Sequence, residues 1–161
     1  MKRILTAIIL AFGAVGALSA ENPKNEYQSD SLGVSMSVPF INSDAPFYQI
    51  AMFFLPPSDG FAANVNIQRQ KYTESIESYN KLSMKQMDAM LLTVVKREIK
   101  DNEVIYEYMG KMKGKKFHWY VRALKRGNYI YLATATALET HWEEQKAELM
   151  KSVDSFKLKK Q

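Results

Sequence analysis

Five side chains in the second half of the chain have the residue types needed to bind an anion or to move a proton. They are Glu107, His118, Tyr120, Arg122 and Tyr131. Arginine holds a carboxylate or phosphate through two parallel hydrogen bonds, and tyrosine rings offer flat contact surface with little rotamer entropy to lose. If these five side chains face one cleft, they form a binding site for a small anionic ligand or for an acidic patch on a partner protein.

Two turns decide whether these residues share one face of a sheet. Lys113-Gly114 and Gly127-Asn128 each have the composition of a two-residue hairpin turn, because glycine accepts the positive φ that such turns need. The cross-strand pairs that follow from these turns are Tyr108–Trp119, Tyr106–Val121, Glu107–Tyr120 and Val121–Thr134. Because side chains alternate between faces, one face collects Val104, Tyr106, Tyr108, Phe117, Trp119, Val121, Ala123, Ile130 and Leu132.

We expect that apolar face to form the hydrophobic core, and the five candidate residues fall on the opposite face. Two interpretations of the opposite face remain open. In the first, the face is exposed and binds a ligand or partner. In the second, it has only a structural role: either a helix covers an internal Glu107–Arg122 pair, or the face is simply solvated. A slip of one residue in either hairpin would separate the five residues.

Four lysines crowd the first of these hairpins, and they form a second candidate binding site. They are Lys111, Lys113, Lys115 and Lys116. Such a cluster attracts an acidic partner or anionic headgroups through its electrostatic field. At physiological salt this field is screened with a Debye length of about 8 Å. The alternative is that these lysines only prevent edge-to-edge pairing of strands.

Methionines recur at three-residue spacing in the middle of the chain, which raises the alternative of copper handling. Met84, Met87 and Met90 are followed by Met109 and Met112, and thioethers are ligands that Cu(I) prefers. Methionine also fills irregular gaps in apolar cores. The sequence therefore predicts no metal site, and copper handling stays an alternative function.

Catalytic motifs are absent from the sequence. The chain has two histidines, His118 and His141, and no cysteine, and it contains no nucleophile elbow, zinc-protease helix or phosphate-binding glycine loop. We therefore expect no catalytic residue, no cofactor and no enzymatic activity. An unrecognised hydrolase is a further alternative, and it would have to place one of the two histidines in a cleft beside an acid.

The remaining elements follow from periodicity. Strands are predicted at Leu32–Val38, Tyr48–Leu55 and Asn64–Gln68. A helix is predicted to run from an N-cap at Thr73 to about Thr93. The apolar residues at helical spacing are Ile76, Tyr79, Met87, Met90, Leu91 and Val94. A second helix is predicted to begin at Thr140-His141-Trp142-Glu143, a capping-box pattern, and to bury Trp142, Leu149, Met150 and Val153. These elements predict an α+β domain.

The N-terminus has the layout of a signal peptide. Lys2 and Arg3 precede an apolar run from Ile4 to Leu18, and Ala20 supplies the small residue that a signal peptidase needs. We expect residues 1–20 to be removed, residues 21–27 to be flexible and residues 28–161 to form a single domain. The run is short for a membrane anchor and no cysteine follows it, so we expect a periplasmic or secreted protein with no stable anchor after cleavage.

Charge and cysteine content narrow the function classes. Removal of Lys2 and Arg3 lowers the net charge from +5 to +3, which is too small for the dense basic stripe of a nucleic-acid-binding protein. Without cysteine the exported domain has no disulfide, so its stability must come from packing.

The order of these motifs resembles the PsbP-like superfamily, and in particular its small bacterial exported branch, the DcrB-like proteins. The resemblance rests on the strand before Pro39, the strand Ala63–Ile67, the long helix, the strand Tyr131–Thr136, Trp142 and the closing Val153–Phe156. It implies an α/β/α sandwich around a mainly antiparallel sheet.

The members of this superfamily include an extrinsic photosystem II subunit, a Ran-binding import factor and a periplasmic protein needed for phage uptake. They are mostly non-catalytic, and the lipidation cysteine of many bacterial relatives is absent here. We therefore expect a non-catalytic exported binding or accessory protein that contacts an envelope protein or a small anionic ligand.

Overall fold

The structure is a computed structural model that describes residues 26–29, 33–37 and 46–159. The chain divides into two compact units, residues 1–45 and 46–161. In the first unit, β1 (Glu26–Ser29) pairs antiparallel with β2 (Val34–Ser37), and Gly33 before β2 has a φ of 63°. The strand predicted at Leu32–Val38 therefore forms, while β1 begins inside the segment expected to be flexible. The predicted signal peptide lies outside the described residues.

The second unit is an antiparallel six-stranded sheet with two helices. Its elements are β3 (Phe47–Phe54), β4 (Asn64–Lys71), α1 (Ile76–Ala89), β5 (Thr93–Lys100), β6 (Glu103–Met112), β7 (Lys115–Arg126), β8 (Tyr129–Leu138) and α2 (Glu139–Asp154). The strands lie in the order β3-β4-β8-β7-β6-β5. The predicted α+β class is confirmed.

Both predicted hairpin turns are present, and they set the registers as expected. Tyr108 lies opposite Trp119, Glu107 opposite Tyr120, and Val121 opposite Thr134. Lys113 and Gly114 both have positive φ, 49° and 83°, which is the backbone twist that suits a tight hairpin. The meander β6-β7-β8 is therefore set largely by local turn chemistry.

Helix α1 packs on the face of the sheet that the sequence predicts as core. Its inner side carries Ile76, Tyr79, Asn80, Ser83 and Met87, all buried. Tyr79 donates to Gln70 Oε1 at 3.4 Å, and Tyr106 donates to Asn80 Oδ1 at 3.2 Å. The core beneath α1 is thus partly polar.

Helix α2 packs on the opposite face and creates a second core. The buried residues there are Ala63, Val65, Tyr120, Ala133, Ala135, Ala137, Trp142, Leu149 and Val153. The small alanines of β8 let the helix approach the sheet closely. With α1 on one face and α2 on the other, the architecture is the predicted α/β/α sandwich.

Three predicted boundaries are wrong. The cap of α1 is Ser75, whose side chain accepts from the Ser78 amide, and not Thr73. The helix ends at Ala89, and Val94 belongs to β5, because Leu91 adopts a left-handed φ of 56° that stops helix propagation. Helix α2 begins one residue before Thr140, and its N-cap Leu138 makes no side-chain capping bond.

Candidate functional site

His118 and Glu107 form a pair that α2 encloses. His118 Nε2 lies 2.8 Å from Glu107 Oε1, and the imidazole stacks on the Trp142 indole with ring centroids 4.0 Å apart and 7° between the planes. Only 5% of His118 is exposed. The pair therefore joins the sheet to the first turn of α2.

Tyr120 and Arg122 join the other end of α2 to the sheet. Tyr120 donates to Asp154 Oδ1 at 2.9 Å, and burial, followed by this bond and the Asp154 charge, raises the pKa of Tyr120. Arg122 binds both carboxylate oxygens of Glu103 and donates to the carbonyls of Asp154 at 2.7 Å and Phe156 at 3.0 Å. The hydrogen bond to Glu103 raises the pKa of Arg122. These contacts satisfy carbonyl groups where the helix ends.

The internal ion pairs differ from the expected one. Arg122 lies opposite Ile105 in the register, midway between Glu103 and Glu107, and it binds Glu103. Glu107 binds His118 instead. Four of the five candidate residues thus make hydrogen bonds within the chain, and Tyr131 contacts Arg126 instead.

Tyr131 belongs to a group of aromatic and basic side chains farther along the same face. Its cross-strand partner is Arg69, which in turn lies opposite Tyr48, and Tyr129 lies opposite both Lys71 and Arg126. We define the arginine–tyrosine surface by Tyr48, Arg69, Arg126, Tyr129 and Tyr131. Strands β3, β4, β8 and β7 each contribute to it, and all five side chains are half-buried.

Guanidinium groups and aromatic rings alternate on this surface. The Arg69 guanidinium carbon lies 5.5 Å from the Tyr48 ring centre and 4.6 Å from the Tyr129 ring centre. The Arg126 guanidinium carbon lies 5.4 Å from the Tyr131 ring centre, and Arg126 donates to the Lys159 carbonyl at 2.6 Å. Stacking holds a guanidinium plane in place while its edge N–H groups keep their direction for an anionic ligand.

The lysine hairpin borders a cleft at the start of α2. Lys115 Nζ donates to the Asp59 carbonyl at 2.9 Å, and Lys116 Nζ lies 3.5 Å from Glu139. Lys111 and Lys113 are exposed. The cleft has a volume of about 450 Å³, and its lining includes Asp59, Lys115, Lys116, Leu138, Glu139 and Thr140. Because both signs of charge line it, this cleft favours an anion less than the arginine–tyrosine surface does.

His141 lies near this cleft beside an acid and a serine. Its Nε2 lies 2.7 Å from Asp59 Oδ2 and 3.4 Å from Ser58 Oγ. Asp59 and Ser58 both approach the same imidazole nitrogen, whereas a catalytic triad places the acid and the nucleophile on different nitrogens. The arrangement pins the loop before β4 to α2 and does not have the geometry of a hydrolase triad.

Two of the methionines in this series, Met87 and Met109, lie on opposite sides of the sheet. Met87 is buried on the inner side of α1, Met90 is 42% exposed, and Met109 lies on the same face of β6 as Glu107. The thioethers of Met87 and Met109 therefore do not converge. Among the described residues there is also no group of three His, Asp or Glu side chains placed to hold a metal ion.

Comparisons with solved structures agree with this architecture. No protein-family model and no curated protein sequence matches the chain. The crystal structure of PA94, a protein of unknown function from Pseudomonas aeruginosa, matches with a TM-score of 0.59 and 12% identity over 84% of this chain and 97% of PA94. That match shows a shared fold. The solution structure of the PsbP protein CyanoP from Synechocystis sp. PCC 6803 aligns with a TM-score of 0.48 and 12% identity over 91% of this chain and 100% of CyanoP.

Sequence reasoning found one member of the arginine–tyrosine surface and missed four. A local signal was available for Arg126 and Tyr129, because the Gly127-Asn128 turn pairs them directly. Arg69 and Tyr48 could not be placed, because 57 residues lie between β4 and β8, and no turn sets the register of that pair. Within the described residues no helix has both the length and the apolar composition to cross a bilayer.

Proposed function

We propose that the chain is an exported, non-catalytic binding protein of the PsbP-like superfamily that holds an anionic group on its arginine–tyrosine surface. The anion is a carboxylate or phosphate of an envelope protein or of a small ligand. The observation that carries the proposal is the Arg69 guanidinium between the rings of Tyr48 and Tyr129, with Arg126 on Tyr131 beside it.

The chemistry of the surface suits such a ligand. Guanidinium groups pair bidentately with carboxylate and phosphate groups, and the tyrosine rings add contact area at low entropic cost. Lys71 is exposed at the edge of the same face and adds positive charge. Because the site is half-buried, its electrostatic attraction is screened less than that of the exposed lysine hairpin.

Binding is tested with the full-length protein and its Arg126→Ala variant in two arms. Inorganic phosphate and citrate are titrated in thermal-shift measurements, and crosslinking in the native envelope captures protein partners. We expect saturable binding in one arm, at least about tenfold weaker for Arg126→Ala because a charged hydrogen bond contributes about 1.5–3 kcal/mol. Arg126→Lys should recover little, because lysine lacks the planar fork.

A matched control is Arg97→Ala, which removes an exposed arginine from β5 at the opposite edge of the sheet. Equal losses for Arg97→Ala and Arg126→Ala would show a nonspecific charge effect and contradict the proposal. No binding in either arm would contradict it as well.

Export is tested separately. The signal-peptide layout and the small residue Ala20 support cleavage after position 20. N-terminal sequencing of the protein recovered from the envelope fraction should begin at Glu21, and an intact Met1 in the cytoplasm would contradict export.

A further inference from the structure

Strand β3 lies at one edge of the six-stranded sheet, and no other described strand pairs with its outer side. Natural proteins protect such an edge with charges, prolines or short strands, because its unpaired backbone groups can pair with another chain. Strand β5 at the opposite edge follows this rule, since four of its eight residues are charged. Strand β3 is equally long and contains neither a charged residue nor a proline. It is therefore the unprotected edge of the sheet.

Large apolar side chains of β3 are exposed. Phe47, Ile50, Phe53 and Phe54 expose 45%, 46%, 61% and 61% of their surface. With about 200 Å² for each phenylalanine, the three rings alone leave roughly 330 Å² uncovered. Single exposed apolar residues are common on protein surfaces, but a group of them on one strand marks an interaction site.

Two hydrogen bonds show which backbone groups of β3 point toward β4. The Lys71 amide donates to the Pro46 carbonyl at one end of the strand, and the Leu55 amide donates to the Ala63 carbonyl at the other, both at 2.8 Å. Along an antiparallel ladder, such bonded pairs alternate with pairs whose N–H and C=O groups point away from the neighbouring strand. The register shifts at a β-bulge around Ile50, so the alternation is counted from each end up to that bulge.

The outward backbone groups of β3 are arranged symmetrically about this bulge. Phe47 and Gln49 lie before it, Met52 and Phe54 lie after it, and by the alternation each of the four directs its N–H and C=O groups to the open side. A second copy of β3 that runs antiparallel, with a two-fold axis through the bulge, therefore places Phe47 opposite Phe54 and Gln49 opposite Met52. In both pairs, outward groups of one copy meet outward groups of the other.

The same register brings aromatic rings together on both faces of the sheet. Phe47 and Phe54 lie on the face that α1 covers, and Tyr48 and Phe53 lie on the face that α2 covers. A two-fold axis perpendicular to the sheet preserves each face, so Phe47 meets Phe54 of the second copy, and Tyr48 meets Phe53. Aromatic pairs across neighbouring strands stabilise a sheet.

We propose that the chain forms a symmetric dimer through β3, in which two six-stranded sheets join into one continuous sheet. Each copy offers the same surface, as a two-fold interface requires, and no like charges meet because β3 has none. The phenylalanines of the two copies offer roughly 660 Å² for burial, and with Ile50, Tyr48 and the strand backbone the interface reaches about 1,000 Å², the size that specific interfaces need. The dimer does not depend on the function proposed for the arginine–tyrosine surface.

Sedimentation velocity tests for the dimer. Protein purified from the cells that make it should show a monomer–dimer equilibrium that shifts toward the dimer as the concentration rises. Phe53→Lys places a charge in the interface and should weaken dimerisation at least about tenfold, because a buried apolar ring is also lost. The matched control Ile99→Lys adds the same charge to β5, where Ile99 is 43% exposed, and should dimerise like the wild type. Thermal melting followed by circular dichroism checks that each variant folds.

Cysteine variants test the register. The chain has no cysteine, so Tyr48→Cys and Phe53→Cys each carry a single one. In the proposed register these positions face each other in a non-bonded pair, with Cα atoms about 4.5 Å apart and within disulfide reach. Mixing the two variants under mild oxidation should give a crosslinked dimer. Either variant alone should give little, because the two identical residues lie roughly 13 Å apart along the strands.

Three results would overturn the proposal. A protein that stays monomeric at every concentration would show that β3 does not pair with its own copy. Equal weakening by Phe53→Lys and Ile99→Lys would show a general charge effect. Crosslinking as efficient in each cysteine variant alone as in the mixture would show that the copies do not meet in this register. Because the crosslinking does not use the lysine variants, it decides the question if Phe53→Lys fails to fold.

Discussion

The imidazole of His118 and the indole of Trp142 lie parallel, with ring centroids 4.0 Å apart. This contact joins the first part of β7 to the first turn of α2, and the imidazole Nε2 lies 2.8 Å from Glu107 Oε1. His118 is therefore part of the packing between α2 and the sheet. Because the imidazole is enclosed, a ligand on this face would contact other residues, such as those of the arginine–tyrosine surface.

Truncation of Trp142 should be among the most damaging changes on α2. We expect Trp142→Ala to lower the free energy of unfolding by about 3–5 kcal/mol, because a large buried ring is lost and a cavity remains. Urea denaturation followed by circular dichroism measures the change. Glu148→Ala, at an exposed position on the same helix, should shift stability by no more than about 0.5 kcal/mol. Similar small losses for both variants would show that α2 packs differently.

Arg122 should stabilise the fold through the several hydrogen bonds of its planar guanidinium group and not through charge alone. Arg122→Lys keeps the charge but loses the paired contacts with Glu103 and the bonds to the Asp154 and Phe156 carbonyls, so we expect a loss of about 1–3 kcal/mol. A double-mutant cycle with Glu103→Gln in urea denaturation measures the coupling. Losses that add without coupling would mean that the two side chains do not interact in solution.

The sequence specified the elements whose partners are near in the chain. The β6-β7-β8 registers follow from Lys113-Gly114 and Gly127-Asn128, because a two-residue turn fixes the pairing on both sides. The helix that covers the Glu107–His118 face could not be predicted in the same way. Both faces of the sheet carry polar residues, so alternation alone does not say which face a helix will cover.

The end of α1 was misplaced for a different physical reason. Leu91 and Val94 continue the apolar period of the helix, and leucine is a good helix former, so composition favours propagation. The chain nevertheless turns at Leu91 into a left-handed conformation and continues as β5, which completes the sheet. The gain comes from pairing with β6, a tertiary contact that overrides local preference.

Stability should fall at alkaline pH through buried tyrosines. Burial raises the pKa of Tyr106 to about 12, whereas an unfolded tyrosine titrates near 10. The native state therefore holds this proton more tightly. The stabilisation is complete below about pH 10 and is lost as the pH rises from 10 toward 12.

The Tyr106→Phe variant isolates that contribution. Urea denaturation at several pH values between about 9 and 12 should show a steeper decline of the unfolding free energy for the wild-type protein than for the variant, by about one proton. Parallel declines for the two proteins would mean that Tyr106 ionises in the native state as readily as in the unfolded state.

Leu91 should be a site where glycine stabilises the protein. The Leu91 amide donates to the Asp88 carbonyl and the Leu92 amide to the Met87 carbonyl, both at 2.9 Å, which is the paired bonding of a Schellman motif. Leu91 holds the left-handed position with a φ of 56° and is 88% exposed. A side chain with a Cβ atom costs about 1–2 kcal/mol in this conformation, and little packing is lost when it is removed.

We therefore expect Leu91→Gly to raise the free energy of unfolding by about 1 kcal/mol, measured as a higher urea midpoint with an unchanged slope. Leu91→Ala is the matched control, because it removes the exposed side chain but keeps the Cβ atom, and it should give little of the gain. An equal gain from both substitutions would assign the effect to the exposed leucine side chain and not to backbone strain. A loss of stability with glycine would show that the left-handed turn is not the native end of α1.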